Sequence, residues 1–452
     1  MFQRPMLLLS CALMTCVPVA RAADRAPGRG PTVTVYSGDL AFVRESRTLE
    51  LESARDTVRL VNVPERLDFP SVRLTLAGGA RVTRLAYRYD VASGDGLLDR
   101  ARGSRVRVTM RDDRVVEGAL LATDGAWMVV RTDEGALSTL ARTAVEDVRL
   151  ASPPAGVTLR PTLEAVVEGA KRGRVEAELS YLTGGLSWSA EHALVRSGES
   201  GASWSTTVTV QNGSGRDFLD ARIKLVAGEP HRDVPMPVPM ARGRALEMTA
   251  VAEKADLSEE TFGEYHLYTL DRPATLFDRE SQSLTMLEPR SVRVAPRYLY
   301  RGGMPGVTAQ LELHNTSAAG LGIPLAAGRV RVYEHDAGGE AQFTGETRIR
   351  HTAEGEKVTL DVGTVFDIAA ERREVYNRRI SDREREYQIE VKLRNRKQSD
   401  VSVMVEEGVG GDHEVVKKTH EFVRKDASTL QFTIAVPAGK EAVLSYAVRV
   451  RY

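Results

Sequence analysis

The chain has 452 residues, with 62 Lys plus Arg against 62 Asp plus Glu, 42% hydrophobic and 27% charged residues. At roughly 100–200 residues per domain that length provides for two to four folded units. Balanced charge excludes the basic surface that phosphate contacts demand, so no nucleic-acid partner is expected, and ordinary hydrophobic content excludes wholesale disorder and a polytopic membrane protein.

Residues 1–22 read as a signal peptide. Arg4 gives a positive start, residues 6–20 form an apolar run broken by Pro18, and Ala20-Arg21-Ala22 is a small-x-small site, so cleavage is expected after Ala22. The run is short for a membrane span, and no later stretch approaches 18 apolar residues, so the mature chain is expected to have no transmembrane span. Both cysteines, Cys11 and Cys16, lie in this peptide. Its removal leaves 430 residues with 60 Lys plus Arg against 62 Asp plus Glu, a net charge of −2. The expected product is secreted, periplasmic or envelope-associated and cysteine-free, held together by core burial instead of disulfides, with no Cys-based catalysis or Cys zinc site.

From there the apolar residues recur at period two, as in Thr32-Val33-Thr34-Val35-Tyr36 and Gln388-Ile389-Glu390-Val391-Lys392-Leu393, and glycine pairs punctuate the runs. This is the pattern of half-buried strands joined by turns. The fold class expected is all-β: multiple β-sandwich units with an inserted SH3- or Sm-like small barrel. The units read as an N-terminal β domain at 23–95, the small barrel of five short strands at 96–152, a sandwich segment at 153–229, a Pro-rich linker or loop at 230–261 and a C-terminal sandwich at 262–452. Gly94-Asp95-Gly96 reads as a turn, and residues 138–148 carry the best helical stripe.

Local catalytic spacing is absent. The sequence has no Gly-x-Ser-x-Gly, no phosphate-binding Gly-x-x-x-x-Gly-Lys-Ser/Thr, no His-Glu-x-x-His and no dinucleotide fingerprint. No His-x-His places two metal ligands on one strand face. No catalytic residue, metal ligand or cofactor is therefore assigned, and the ligand is left unknown. His231 and His413, beside carboxylates, read as solvated loop residues. Trp188 and Trp204 read as core aromatics. The Arg-rich stretch 371–387 reads as a solvated ladder of alternating charge across a hairpin.

Several ordered motifs resemble the bacterial domain of unknown function 4139, also found in mucoidy-inhibitor-A-like proteins. They are Tyr181-Leu182-Thr183-Gly184-Gly185-Leu186-Ser187-Trp188, Asn212-Gly213-Ser214-Gly215, Leu225-Val226-Ala227-Gly228, Gly320-Leu321-Gly322-Ile323-Pro324, Phe343-Thr344-Gly345-Glu346, His351-Thr352 with Gly355-Glu356, and Phe366-Asp367. The resemblance spans roughly residues 161–452. It implies an exported or envelope-associated β-sandwich protein and carries no catalytic residue set. Longer mucoidy-inhibitor-like members have a coiled coil ahead of this domain, where residues 96–152 here look like a small barrel. The motifs read as scaffolding, with Tyr333 and Trp188 filling core and Glu346, His351 and Glu356 satisfying loop amides. The function expected is non-enzymatic binding or assembly in the cell envelope, with an envelope protein or glycan as partner. The alternative is a glycan or peptide hydrolase whose site, around His266 or His351, two carboxylates and a Ser, is assembled across the sandwich.

Overall fold

The computed structural model describes residues 24–25, 30–90, 93–154, 157–169, 171–198, 200–228, 258–262 and 265–452. The expected signal peptide and nearly all of the expected linker lie outside them. The described residues are dominated by strands arranged in five sheets, with one short α-helix. Alternation along the strands sets the layers. In Ala41–Leu51 the residues Ala41, Val43, Leu49 and Leu51 turn inward while Phe42, Arg44 and Glu50 face out, and the buried sets merge into four cores.

The first core is built from a nine-stranded sheet, a three-stranded sheet and, through Trp188, Val208, Val210 and Met286, the adjoining part of a ten-stranded sheet. Strand Gly173–Thr183 sits between Ala41–Leu51 and Leu67–Leu76, and Thr162–Glu168 sits between Arg55–Val61 and Arg81–Arg88. The segments that the sequence divides at 95 and 152 therefore interleave strand by strand around one core. Strand Ser258–Phe262, at the end of the expected linker, extends this first sheet by pairing with Tyr265–Thr269.

Residues 89–161 are inserted between the paired strands Arg81–Arg88 and Thr162–Glu168. Five strands form one sheet in the order Leu137–Ala141, Trp127–Thr132, Val115–Thr123, Arg105–Met110, Val145–Leu150. They enclose Val106, Val108, Leu120, Met128 and Val130. No ladder joins the two end strands, so the expected barrel is an open five-stranded sheet. The stretch with the best helical stripe, 138–148, is not helical: strand Leu137–Ala141 breaks into a single 3-10 turn, Arg142–Ala144, and resumes as Val145–Leu150. The α-helix is Gly94–Arg100, where a turn was expected: Ser93 caps it by accepting from the Gly96 amide, and Leu98 packs into the small core.

Two further sandwiches follow. The middle core gathers Leu194, Trp204, Leu287, Val292, Leu311, Leu325, Val330 and Leu360. The C-terminal core gathers Ile389, Val391, Val403, Val405, Phe432, Ile434, Tyr446 and Val448. Strand Glu280–Arg301 runs past all three: Met286 enters the first core, Leu287, Val292 and Val294 the middle one, and Tyr300 the last. Among the described residues no helix is long and apolar enough to cross a membrane.

Candidate functional site

A buried asparagine closes a strand corner in each sandwich. Asn212 Nδ2 donates to the carbonyls of Arg216 and Leu276 at 2.8 and 3.1 Å. Asn315 Nδ2 donates to Ile323 and Ala353 at 2.7 and 2.9 Å, and Asn395 Nδ2 to Ser399 and Val436 at 2.8 and 3.0 Å. All three are 3% exposed or less, so each side-chain amide serves backbone groups that a chain reversal would otherwise leave unpaired.

Around the first of these corners the motif segments converge with residues far upstream. Gly185 donates its amide to Asp39 Oδ1 at 2.6 Å, Gly213 donates to the Gly185 carbonyl at 2.7 Å, and Arg66 Nη2 reaches Asp39 Oδ2 at 2.5 Å. Gly185 has φ +87°, and a Cβ there would lie 2.5 Å from the Gly213 oxygen, so only glycine fits. Arg279, a non-glycine residue at φ +59°, completes the rim. The resulting cleft, about 380 Å³, is lined by Asp39, Arg66, Ser187, Gln211, Arg279 and Ser281 among others. Its two arginines are matched by Asp39 and Glu280, which makes it a polar cleft without net charge.

The same segments also share a buried ionic cluster. Strand alternation turns Glu45 and Arg47 inward. Arg216 Nη1 and Nη2 donate to the two Glu45 oxygens at 2.8 and 2.7 Å, Arg47 Nη2 donates to Glu45 Oε1 at 3.0 Å, and Arg216 Nη1 also donates to the Tyr181 hydroxyl at 2.5 Å. Burial pushes the Glu45 carboxyl up, but the Arg216 and Arg47 guanidiniums outweigh it and hold it below the usual range. Burial also drives the Tyr181 hydroxyl upward, keeping it protonated. A related cluster sits in the C-terminal core, where Arg372 Nε donates to Glu407 Oε2 at 3.0 Å and the Tyr446 hydroxyl donates to the same oxygen at 2.7 Å.

The residues singled out in the sequence disperse. His351 lies near His266, and burial first, then that neighbouring charge, lowers its pKa. Its Nδ1 accepts from the Ala327 amide at 3.0 Å, while Glu356 accepts from the Ala353 amide at 3.3 Å. Both thus serve loop amides as expected, whereas Glu346 instead pairs with Arg329 and Arg331. No group of three His, Asp or Glu able to hold a metal occurs among the described residues. Trp188 and Trp204 are core residues. Tyr333 is only half-buried, stacking edge-on against Phe343 on an outer face. His413 opens strand Asp412–Lys418 and accepts from Arg424 at 2.6 Å; His231 lies outside the described residues. The Arg-rich stretch is the expected hairpin, Ile368–Arg379 against Glu384–Asn395, tied by pairs such as Arg373 with Glu390.

A chain of stacked β-sandwiches with asparagine-braced corners and no metal cluster among its described residues is the class defined by this geometry. The chain belongs to the family described as Domain of unknown function (DUF4139), which matches residues 177–452. That match starts inside strand Gly173–Thr183, whose neighbours Ala41–Leu51 and Leu67–Leu76 lie upstream of it. No curated protein matches the chain. The solved structure of a "putative protease" from Parabacteroides distasonis ATCC 8503 is 9% identical over 95% of this chain and 93% of that one, with a TM-score of 0.15, and at that score it carries no argument.

Proposed function

We propose that this protein is exported to the bacterial cell envelope and acts there in non-enzymatic binding or assembly, with an envelope protein or glycan as partner. One observation carries the reading: Asn212, His351 and Glu356 of the motif segments, together with Asn315, are committed to backbone groups at strand corners. A side chain held in that way braces the scaffold and is not poised to attack a substrate. Export is supported by the charge, apolar run and Ala20-Arg21-Ala22 site of the first 22 residues.

Expression of the full chain in a Gram-negative host, followed by fractionation, intact-mass measurement and in-cell crosslinking, tests it. The expected outcome is a mature protein beginning at Ala23 in the periplasmic or envelope fraction, crosslinked to a reproducible partner. A cytoplasmic full-length chain defeats the export reading. Turnover of envelope glycan or peptide by the purified protein replaces the binding role with a hydrolase.

A further inference from the structure

We propose that the outer face of the three-stranded sheet docks on an anionic phospholipid membrane through its arginines. The balanced charge of the whole chain hides a local surplus there. Thr162–Glu168 is the middle strand, and residues directly opposite one another in a ladder share a face. Val58, Leu60, Leu163 and Ala165 take the inner face and enter the first core. The other phase of the middle strand, which holds Glu164 and Glu168, therefore looks outward. Arg59 and Arg55 stand opposite these two on one side. On the other side Arg88, Arg84 and Arg81 stand opposite Thr162, Val166 and Glu168. Five guanidiniums thus share one face with two carboxylates.

Their neutralisation is incomplete. Glu164 is approached by Arg88 at 3.4 Å, Arg59 at 3.5 Å and Arg84 at 3.8 Å, and one carboxylate cannot cancel three guanidiniums. Glu168 pairs with Arg55 at 3.3 Å and lies across from Arg81. Five charges against two leave a surplus of three, and it is open to solvent: the Arg55 and Arg84 side chains are 77% and 59% exposed, and Arg81 is exposed as well. Lys171 and Arg172, exposed beyond the Glu168 end of the middle strand, add to the surplus, against Glu52 in the turn that Gly169 bonds at Ala54.

Shape selects among anions. Side chains on one face repeat roughly every 7 Å along a strand, and strands lie about 4.8 Å apart, so the guanidiniums spread over a flat patch of roughly 20 by 10 Å. A single polymer chain would meet one row of that grid, whereas a layer of headgroups meets all of it. Arginine suits phosphate oxygens because its planar fork binds two at once, and a cluster of roughly four to eight basic residues is what an anionic membrane surface holds. No large apolar side chain of these three strands is exposed. Contact therefore stops at the headgroups and is electrostatic, so salt screens it. This goes beyond the envelope role proposed above and does not depend on it.

Sedimentation of the mature full chain with vesicles of phosphatidylglycerol and phosphatidylethanolamine tests the proposal, with phosphatidylcholine vesicles as the neutral control. Binding is expected on the anionic vesicles at low salt, lost at about 0.5 M salt and absent on the neutral ones. Arg55→Gln, Arg81→Gln and Arg84→Gln together cancel the surplus and should weaken binding at least tenfold, while lysine at the same three positions should keep it within about threefold. Glu168→Gln raises the surplus and should strengthen binding. Arg373→Gln, Arg379→Gln and Arg383→Gln together, in the exposed hairpin, should leave it unchanged, and the melting temperature of each variant reports whether it folds. Equal binding to neutral vesicles, or no binding to either kind, would overturn the proposal, as would anionic binding that survives the triple change at 55, 81 and 84 or falls equally with the hairpin change. Capture of soluble polyphosphate through these arginines without sedimentation on vesicles would replace the membrane with a free polyanion. A chain found in the cytoplasm that still sediments defeats the envelope role and leaves the docking face; an exported chain that ignores the vesicles does the reverse.

Discussion

The first and last sandwiches solve one problem in two ways. In each, a strand with inward-facing apolar residues carries a glutamate in the inward phase, and an arginine and a tyrosine from elsewhere in the chain meet it: Glu45 with Arg216 and Tyr181, Glu407 with Arg372 and Tyr446. The first cluster is sealed, with the Glu45, Arg47 and Arg216 side chains 5% exposed or less, and it carries two guanidiniums on one carboxylate. The second opens through Arg372, whose side chain is 30% exposed. The sealed cluster fastens residues upstream of the family match onto the family domain; the open one fastens an edge hairpin onto its own sandwich. A sealed pair tolerates loss of a partner far less than one that water can reach.

Removing the carboxylate is the strongest way to break this contrast. Glu45→Ala should cost about 3–5 kcal/mol, because it strands two buried guanidiniums, read as a lowered denaturation midpoint for the unit containing Trp188. Loss under 1 kcal/mol would mean that the cluster is hydrated. Acid should sharpen the contrast next. His192 is buried between Thr206 and the Ala326 carbonyl, and its pKa is pushed down to about 4, chiefly by burial. The folded state holds it neutral, so its contribution is complete above the unfolded value of about 6.5 and is lost as pH falls toward about 4. That is about 3 kcal/mol over the window. The depressed Glu45 carboxyl adds its own loss only at more acidic pH, as pH falls below the ordinary carboxylate range. Equilibrium unfolding across pH 7 to 4 should show the first loss in wild type and not in His192→Gln.

Glu407→Gln should cost less than the Glu45 change, about 1–3 kcal/mol, since Arg372 can turn to water. An equal or larger cost would erase the distinction between the clusters. Smallest is Arg373→Ala in the exposed hairpin, within about 0.5 kcal/mol, measurable as a melting temperature nearly unchanged from wild type.

Half of each cluster was readable in advance. Glu45 and Arg47 continue the inward phase of Ala41 and Val43, and Glu407 continues that of Val401, Val403 and Val405, so the alternation that identified the strands also marked charges pointing into a core. Their partners were not readable, because which strand lies beside which is set by pairing at long range: Tyr181 reaches Glu45 only because Gly173–Thr183 aligns with Ala41–Leu51. The helix was missed for a local reason. Gly94-Asp95-Gly96 has turn composition, and the deciding signal was Ser93, whose side chain caps the first helical turn. The braced corner at Asn212 was visible only as the motif segment Asn212-Gly213-Ser214-Gly215.

Strand Glu280–Arg301 touches all three sandwich cores, with ladders to Gly201–Asn212, then Val307–His314, then Val401–Gly408. A bend between neighbouring sandwiches must distort that one backbone and shear ladder hydrogen bonds on it. The three units are thus joined by a common beam instead of linkers, and a pull applied at one end of the molecule is passed to the other through a continuous peptide chain.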